Sequence, residues 1–513
     1  MEEIVYEIMQ VTRSPLGKFD NDVTSCYDHI HCFLANMTSQ KYGQSRHVCI
    51  VQGATLVAAK CHLHTQMGLS KGFIQHSQAF PIYGTGQGSG NSPVHWVFIS
   101  SALFDCHALK AQGALFSTPD GALSVNLCML GFVDDTSNRT NHFESAAPPS
   151  MDALIRLMQH DAQIWSDLLW ASGGELELSK CTFHHVRFKF DFKGRFTMVP
   201  GKFSPHLHVR NNQGEEITIN QLANDECHKL LGCYKCPTGK LDTQGKILLQ
   251  KCNDFAKVVN SSALSRHDSL IFYRHIYIPS VSHPLSSTFF TEKQMDAIQR
   301  CSNWSLSQSC GYAKTTPFSI IHGPFEYGGL DFVNLMDTQS FLQMQQFLKH
   351  WQTPGKPGNM LRISMAWWQL VTGTSTPLLS DPLQHLPHFD CESKYISSLQ
   401  QALASIQVSI KLDNNYPPPL QQERDAYFMD LVLAAGKFKP FEIRYVNLCR
   451  LYLQIITVSD LAHADGPMLD LVIKHGTPSL LSSHTRWIHC HQECPQCPHV
   501  WAAWHQACYI VAH

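Results

Sequence analysis

Two carboxylates stand side by side at Asp134-Asp135, closing the apolar run Leu127–Val133 in Gly131-Phe132-Val133-Asp134-Asp135. Like charges at the end of a buried strand repel each other and lose hydration unless a cation compensates them. Oxygen ligands of this kind suit a hard divalent ion such as Mg2+, and two such ions clamp a transferring phosphoryl group. A third carboxylate is at hand. Asp22 ends Lys18-Phe19-Asp20-Asn21-Asp22, and Tyr27 follows five residues later. Asp22, Asp134 and Asp135 therefore form a candidate site for two magnesium ions, one activating a 3′-hydroxyl and both stabilising charge on the reacting phosphate. Tyr27 suits the wall of a sugar pocket in which an aromatic ring collides with a 2′-hydroxyl, which favours deoxynucleotides. Between the carboxylates lies Gly84-Thr85-Gly86-Gln87-Gly88-Ser89-Gly90-Asn91-Ser92-Pro93. Gly86 and Gly88 allow close backbone approach to a nucleotide, with Gln87 placed against the incoming base pair. No Gly-Lys-Ser/Thr follows, so the loop is not a P-loop.

These residues need elements to hold them. Leu16–Asp22 reads as a strand, about Ser25–Ser39 and Val48–Met67 as helices, and Lys71–Tyr83 as a hairpin. Ser92-Pro93 is an N-cap followed by proline at the first helical position. Leu123–Val133 reads as one strand leading to a strand-to-strand turn, and Met151–Ser172 as a helix. Arg187–Lys193 alternates aromatic and charged residues, the pattern of a half-buried antiparallel strand, and Asn211–Gly214 signals a hairpin turn. From about Gln244 the chain is mainly helical, with loops expected at 353–358, 372–382 and 413–419.

In this order, Asp22…Tyr27, GTGQGSGNSP and GFVDD resemble the palm of a reverse transcriptase of the non-LTR-like retrotransposon type. Ser172–Cys181 resembles the next palm motif, and by that resemblance Lys180 approaches the leaving pyrophosphate and donates a proton. His228-Lys229-Leu230-Leu231-Gly232 resembles the primer grip. Helices from about 244 to 348, with Ile321–Leu330, are similar to the thumb. The resemblance implies an α+β fold: a right-hand polymerase palm, an antiparallel sheet with packed helices, followed by a mainly helical thumb and a helical C-terminal region. It divides the chain into 1–242, 243–350 and 351–513. It implies an RNA-directed DNA polymerase adding dNTPs to a DNA primer on an RNA template with two Mg2+ ions. The alternative is a catalytically inactive nucleic-acid-binding remnant with the same palm. An RNA-copying RNA polymerase is disfavoured by Tyr27 and Val133, and a phosphatase or nuclease by the Gly-Gln-Gly loop.

The pattern departs from the family at the start, where fingers carrying basic residues for the triphosphate are expected. Only 21 residues precede Asp22, and Lys18 is a poor substitute. A truncated element with impaired activity, or a gene whose start is placed late, is the expectation. From Lys180 to Arg210 seven Lys/Arg stand against one acidic residue, Asp191, with interleaved phenylalanines. Such a strand pair could track a phosphate backbone, although the net charge of −2 is not that of a typical nucleic-acid binder. Cys494, Cys497, His505 and Cys508 form C-x2-C-x7-H-x2-C, the donor types and spacing of a tetrahedral zinc site. This resembles the zinc knuckle of some non-LTR retrotransposon proteins, with a narrower final gap. No run of about 18 apolar residues suggests a membrane span. No signal-peptide pattern opens the chain, so its 19 cysteines are expected to be reduced thiols of an intracellular protein, nuclear or cytoplasmic, not secreted.

Overall fold

The strand expected at Leu16–Asp22 (β1) forms with those bounds and lies at the centre of a five-stranded sheet. The computed structural model describes residues 1–24, 31–77, 84, 92–132, 135–141, 151–313, 315–380, 394–413, 420, 422–461 and 492–512. The other strands of the sheet are Met129–Phe132 (β2), Asp135–Thr140 (β3), Thr182–Val186 (β4) and Asn220–Leu222 (β5), in the order β5-β4-β1-β3-β2. β1 pairs antiparallel with β3 and β4, and β2 with β3, whereas β4 and β5 run parallel. The fold is thus mixed α+β, and the sheet is not wholly antiparallel as expected. A parallel neighbour needs a long crossover, and here the hairpins Phe188–Phe190/Phe196–Met198 and His208–Arg210/Glu216–Thr218 occupy it.

β1 is buried on both sides. Gly17, Phe19 and Asn21 face the Met151–Ser172 helix, which forms as expected. A Cβ on Gly17 would collide with Met158, so glycine sets how closely this helix approaches. Within the apolar layer between them several polar groups are paired: Trp165 Nε1 donates to Asn21 Oδ1 at 3.0 Å, Asn21 Nδ2 to Asn138 Oδ1 at 2.9 Å, and Thr140 Oγ1 to Asp161 Oδ2 at 2.9 Å.

On the opposite face the alternation places Lys18, Asp20 and Asp22 in a row. The Glu2–Thr12 helix covers its inner end. Lys18 Nζ lies 2.5 Å from Glu2 and 2.9 Å from Asp20, and Arg139 lies 3.6 Å from Glu2. Tyr6 donates to Glu2 at 3.0 Å. All five residues are buried. Burial alone would lower the Lys18 pKa, but Asp20 and Glu2 outweigh it and raise it above the ordinary lysine value. Burial likewise pushes Glu2 up, and Lys18 and Arg139 hold it well below the usual carboxylate range.

Further along, the Asp242–Ser261 and Glu292–Ser309 helices pack around Leu248, Phe255 and Leu306. The Leu335–Gln352, Lys356–Thr372 and Lys394–Ser405 helices share a core with the Glu2–Thr12 helix, so the chain's start is built into its later helical region. The Pro440–Leu453 and Pro498–Ala512 helices enclose Trp504 and Phe428.

Several elements differ from expectation. The helix starting at Arg46 ends at Ala58, and nested ladders Lys60–Cys61/Ile74–Gln75 and His64–Thr65/Gly68–Leu69 follow, with Gly68 at φ 108° just after the turn. The apolar stretch before the aspartates is two strands. Ser124–Leu127 pairs with Ala114–Ser117, and the chain switches ladders at Cys128 into β2. The basic strand stops at Phe190, because the Asp191 carboxylate accepts from the Lys193 and Arg195 amides and turns the chain. The Pro-Gly stretch at 353–358 is a helix start: Pro357 lies in the first turn of Lys356–Thr372, where its missing N–H is not needed.

Lys18→Ala leaves Glu2 and Asp20 buried without their cation, so urea unfolding should show a loss of about 3–5 kcal/mol. Lys41→Ala breaks an exposed 3.4 Å pair with Asp105 and should cost at most about 1 kcal/mol. Equal effects of the two substitutions would refute the buried network.

Candidate active site

The charged face of β1 opens at its outer end. The antiparallel register sets Asp22 directly opposite Asp135, with Phe132 opposite Asp135 on the other side. Asp22 and Asp135 are both partly exposed, in contrast to the buried Lys18 and Asp20. Opposed residues of an antiparallel pair have Cβ atoms about 4.5–5.5 Å apart, and like charges there destabilise the sheet. The β2–β3 hairpin is held from behind by the Ser92–Ala108 helix. Gly131 is a glycine because a Cβ there would run into the Phe104 ring of that helix.

Lys180 arrives by a separate route. After the Met151–Ser172 helix, Gly173 takes φ 95° and reverses the chain. The next segment is stitched to the end of β1: Thr24 N donates to Glu175 O at 2.9 Å, Glu177 N to Asp22 O at 3.0 Å, and Val23 bridges Leu176. This delivers Lys180 Nζ to 3.1 Å from Asp22 Oδ2, in an ion pair whose lysine is 66% exposed. Three sequence-predicted residues, Asp22, Asp135 and Lys180, are thereby brought together. Asp134, Tyr27, Gly86, Gln87 and Gly88 lie outside the described residues.

The sequence reading missed the inner half of this face. Glu2, Lys18, Asp20 and Arg139 form the charge network behind the carboxylates, and Lys18 is consumed by it rather than exposed to a triphosphate. The signal was present as Lys18, Asp20, Asp22 at period two within a strand. His184 also belongs here, with Nδ1 3.9 Å from Asp20. Its pKa is lowered to about 4 by burial first and then by the charge of Lys18, and burial with Arg187 lowers His185 to about 4.

The remaining candidates are not gathered in the same way. Cys494 and Cys497 precede the Pro498–Ala512 helix, whereas His505 and Cys508 lie within it. Eleven positions separate Cys497 from Cys508, about 16 Å along a helix axis, far beyond the reach of one zinc ion with Zn–S bonds of about 2.3 Å. Both thiols are buried in the apolar core around Trp504. Among the described residues no group of three or more His, Cys, Asp or Glu side chains is placed to hold a metal ion, and the Asp22–Asp135 pair counts two. The basic segment is largely used within the fold. Arg187 stacks on Phe203 at 3.7 Å, Arg195 pairs with Asp191 at 2.7 Å, and Lys193 donates to Tyr445 at 3.1 Å. Lys189, Lys202 and Arg210 stay exposed.

The chain matches no known protein family and no curated protein. Among solved structures it is similar to telomerase from Candida albicans, determined in complex with a TWJ fragment of telomeric RNA, at 11% identity over 68% of this chain, with a TM-score of 0.23. The match spans 50% of that protein's length, and a likeness of this size carries no argument. Among the described residues no helix is long and apolar enough to cross a membrane.

His184 and His185 give the site's sheet a pH dependence of definite sign. Both stay neutral in the folded protein down to about pH 4, while the unfolded chain titrates near 6.5. The unfolded state therefore binds more protons between these values, and stability is lost as pH falls from 6.5 towards 4. Between pH 7 and pH 5 each histidine should remove up to about 2 kcal/mol. His184→Gln should flatten the urea midpoint against pH, and an unchanged profile would show that the histidine is not buried neutral.

Proposed function

We propose that the outer end of the β1–β3 face binds divalent cations for phosphoryl transfer, and that the chain is an RNA-directed DNA polymerase of the retrotransposon reverse-transcriptase type. The observation that carries this reading is the opposition of Asp22 and Asp135 across one register position, with Lys180 brought to the same point by backbone stitching. Opposed carboxylates with partly exposed oxygens fit Mg2+, a hard ion bound through one or two carboxylates and its own waters. Asp22 and Asp135, with Asp134 next to it in the sequence, are the residues to hold it. Bound magnesium supplies activation of a primer 3′-hydroxyl and neutralisation of charge on the phosphate. Lys180 leaves Asp22 for the pyrophosphate and gives it a proton. Tyr27 excludes a 2′-hydroxyl, and Gln87 with Gly86 and Gly88 meets the base pair. The partners on this reading are an RNA template, a DNA primer and dNTPs.

A second reading, a nucleic-acid-binding remnant without turnover, is favoured by one feature. Lys18, the lysine nearest the site on β1, is buried and paired, so it offers nothing to a triphosphate.

Extension of a DNA primer on an RNA template separates the two. The polymerase reading expects incorporation of dNTPs over NTPs, reduced about 100-fold or more by Asp135→Asn. No incorporation by the wild type, with template binding retained, favours the remnant. Equal incorporation by wild type and Asp135→Asn contradicts the assigned site.

A further inference from the structure

The segment that resembles a primer grip folds as a hairpin of its own, His228–Leu230 (β6) against Cys233–Lys235 (β7). Its turn is Leu231-Gly232, with φ of 49° and 77°, the two-residue turn whose central residues are both left-handed. In such a hairpin the pair next to the turn is hydrogen-bonded and pairs alternate outward. Leu230↔Cys233 is therefore a hydrogen-bonded pair, Lys229↔Tyr234 is not, and His228↔Lys235 is. Continued one step beyond the last paired residues, this alternation sets Cys227 opposite Cys236 at a non-hydrogen-bonded position. Cα atoms of such pairs lie about 4.5 Å apart with side chains closest, within the range of about 4.4–6.8 Å that a disulfide spans. Both cysteines are free thiols, Cys227 partly exposed and Cys236 buried.

We propose that Cys227 and Cys236 are a redox pair that closes to a cross-strand disulfide at the base of this hairpin. The inference does not depend on the polymerase reading. The side chains meet: burial lifts the Cys236 thiol above its ordinary value, Thr238 acts against that, and the Cys227 thiol adds to it by charge and by a hydrogen bond. Cys227, the more exposed, meets the oxidant, a peroxide. Its thiolate attacks one peroxide oxygen, an S–O bond forms and the O–O bond breaks. The Cys236 sulfur then attacks the Cys227 sulfur, the S–S bond forms, and the S–O bond breaks with loss of water. Two thiols lose two protons and two electrons, and the peroxide takes up both to give two waters. A small thiol reverses the step by exchange. In a reducing compartment a disulfide of this kind is transient and regulatory rather than structural.

The position gives the bond a mechanical consequence. The reduced ladder has three residue pairs, and its turn places a leucine in a left-handed conformation. His228 Nδ1 lies 3.4 Å from Thr182 Oγ1, and Thr182 is opposite Asp20 on β1. On the other strand Lys235 pairs with Glu3 at 2.7 Å. Closing the base of the hairpin therefore stiffens a segment that touches both the site's sheet and the helix covering it.

The test uses the full chain, reduced and freed of reductant, exposed to hydrogen peroxide while folded, then unfolded in urea, alkylated and digested. The expected result is a Cys227–Cys236 cross-linked peptide and loss of alkylation at both positions, restored by dithiothreitol, while the exposed cysteines Cys61 and Cys106 keep their label. Cys227→Ser should abolish protection of Cys236, and Cys227→Ala serves the same purpose if the serine variant does not fold. Full alkylation of Cys236 after peroxide treatment of the wild type overturns the proposal. So does a cross-link from Cys227 or Cys236 to any other cysteine.

Discussion

A strand buried on both sides that carries a lysine and two aspartates on one face is the constraint around which this structure is arranged. Charges cannot enter such a position unless each finds a counter-charge within a few ångströms. At the inner end that requirement is met by Glu2, Lys18, Asp20 and Arg139, two carboxylates against two cations, all buried. Glu2 comes from the first helix and Arg139 from β3. The network thus ties the start of the chain to the sheet and, through the first helix, to the later helical core.

The outer end of the same face follows a different rule. Asp22 and Asp135 oppose each other where solvent reaches them, and the nearby cation is Lys180, itself mostly exposed. An exposed pair of this sort is weak and exchanges readily for another cation or for a phosphate. The inner network fixes the strand, so the outer carboxylates are presented in a set geometry without being locked into permanent ion pairs. That division between a rigid interior and an exchangeable rim is what the proposed phosphoryl-transfer site would use.

Much of this was legible in the sequence, for reasons that can be named. β1 and the Met151–Ser172 helix formed with the expected bounds, and a helix begins at Ser92, with Ser92 itself the first helical residue rather than the cap before Pro93. Asp22, Asp135 and Lys180 came together because they lie beside strand ends that meet at one end of the sheet. What failed was long-range or local to a single contact. Nothing in Leu123–Val133 announced that the strand would change partners at Cys128, since that depends on where Ala114–Ser117 lies. The zinc reading counted residue spacing as if the chain were a loop, whereas a helix from Pro498 carries Cys508 away from Cys497. The basic segment was read by charge alone, whereas Arg187 stacks on Phe203 and Arg195 pairs with Asp191.

The central claim, that the opposed carboxylates form a divalent-cation site, is tested most directly by binding of Mn2+ in place of Mg2+, followed by the loss of its free electron-paramagnetic-resonance signal. The wild-type protein should take up Mn2+ that Mg2+ displaces, and the double variant Asp22→Asn/Asp135→Asn should not, with its fold unchanged by circular dichroism. Equal uptake by the two proteins, or none by the wild type, would contradict the account.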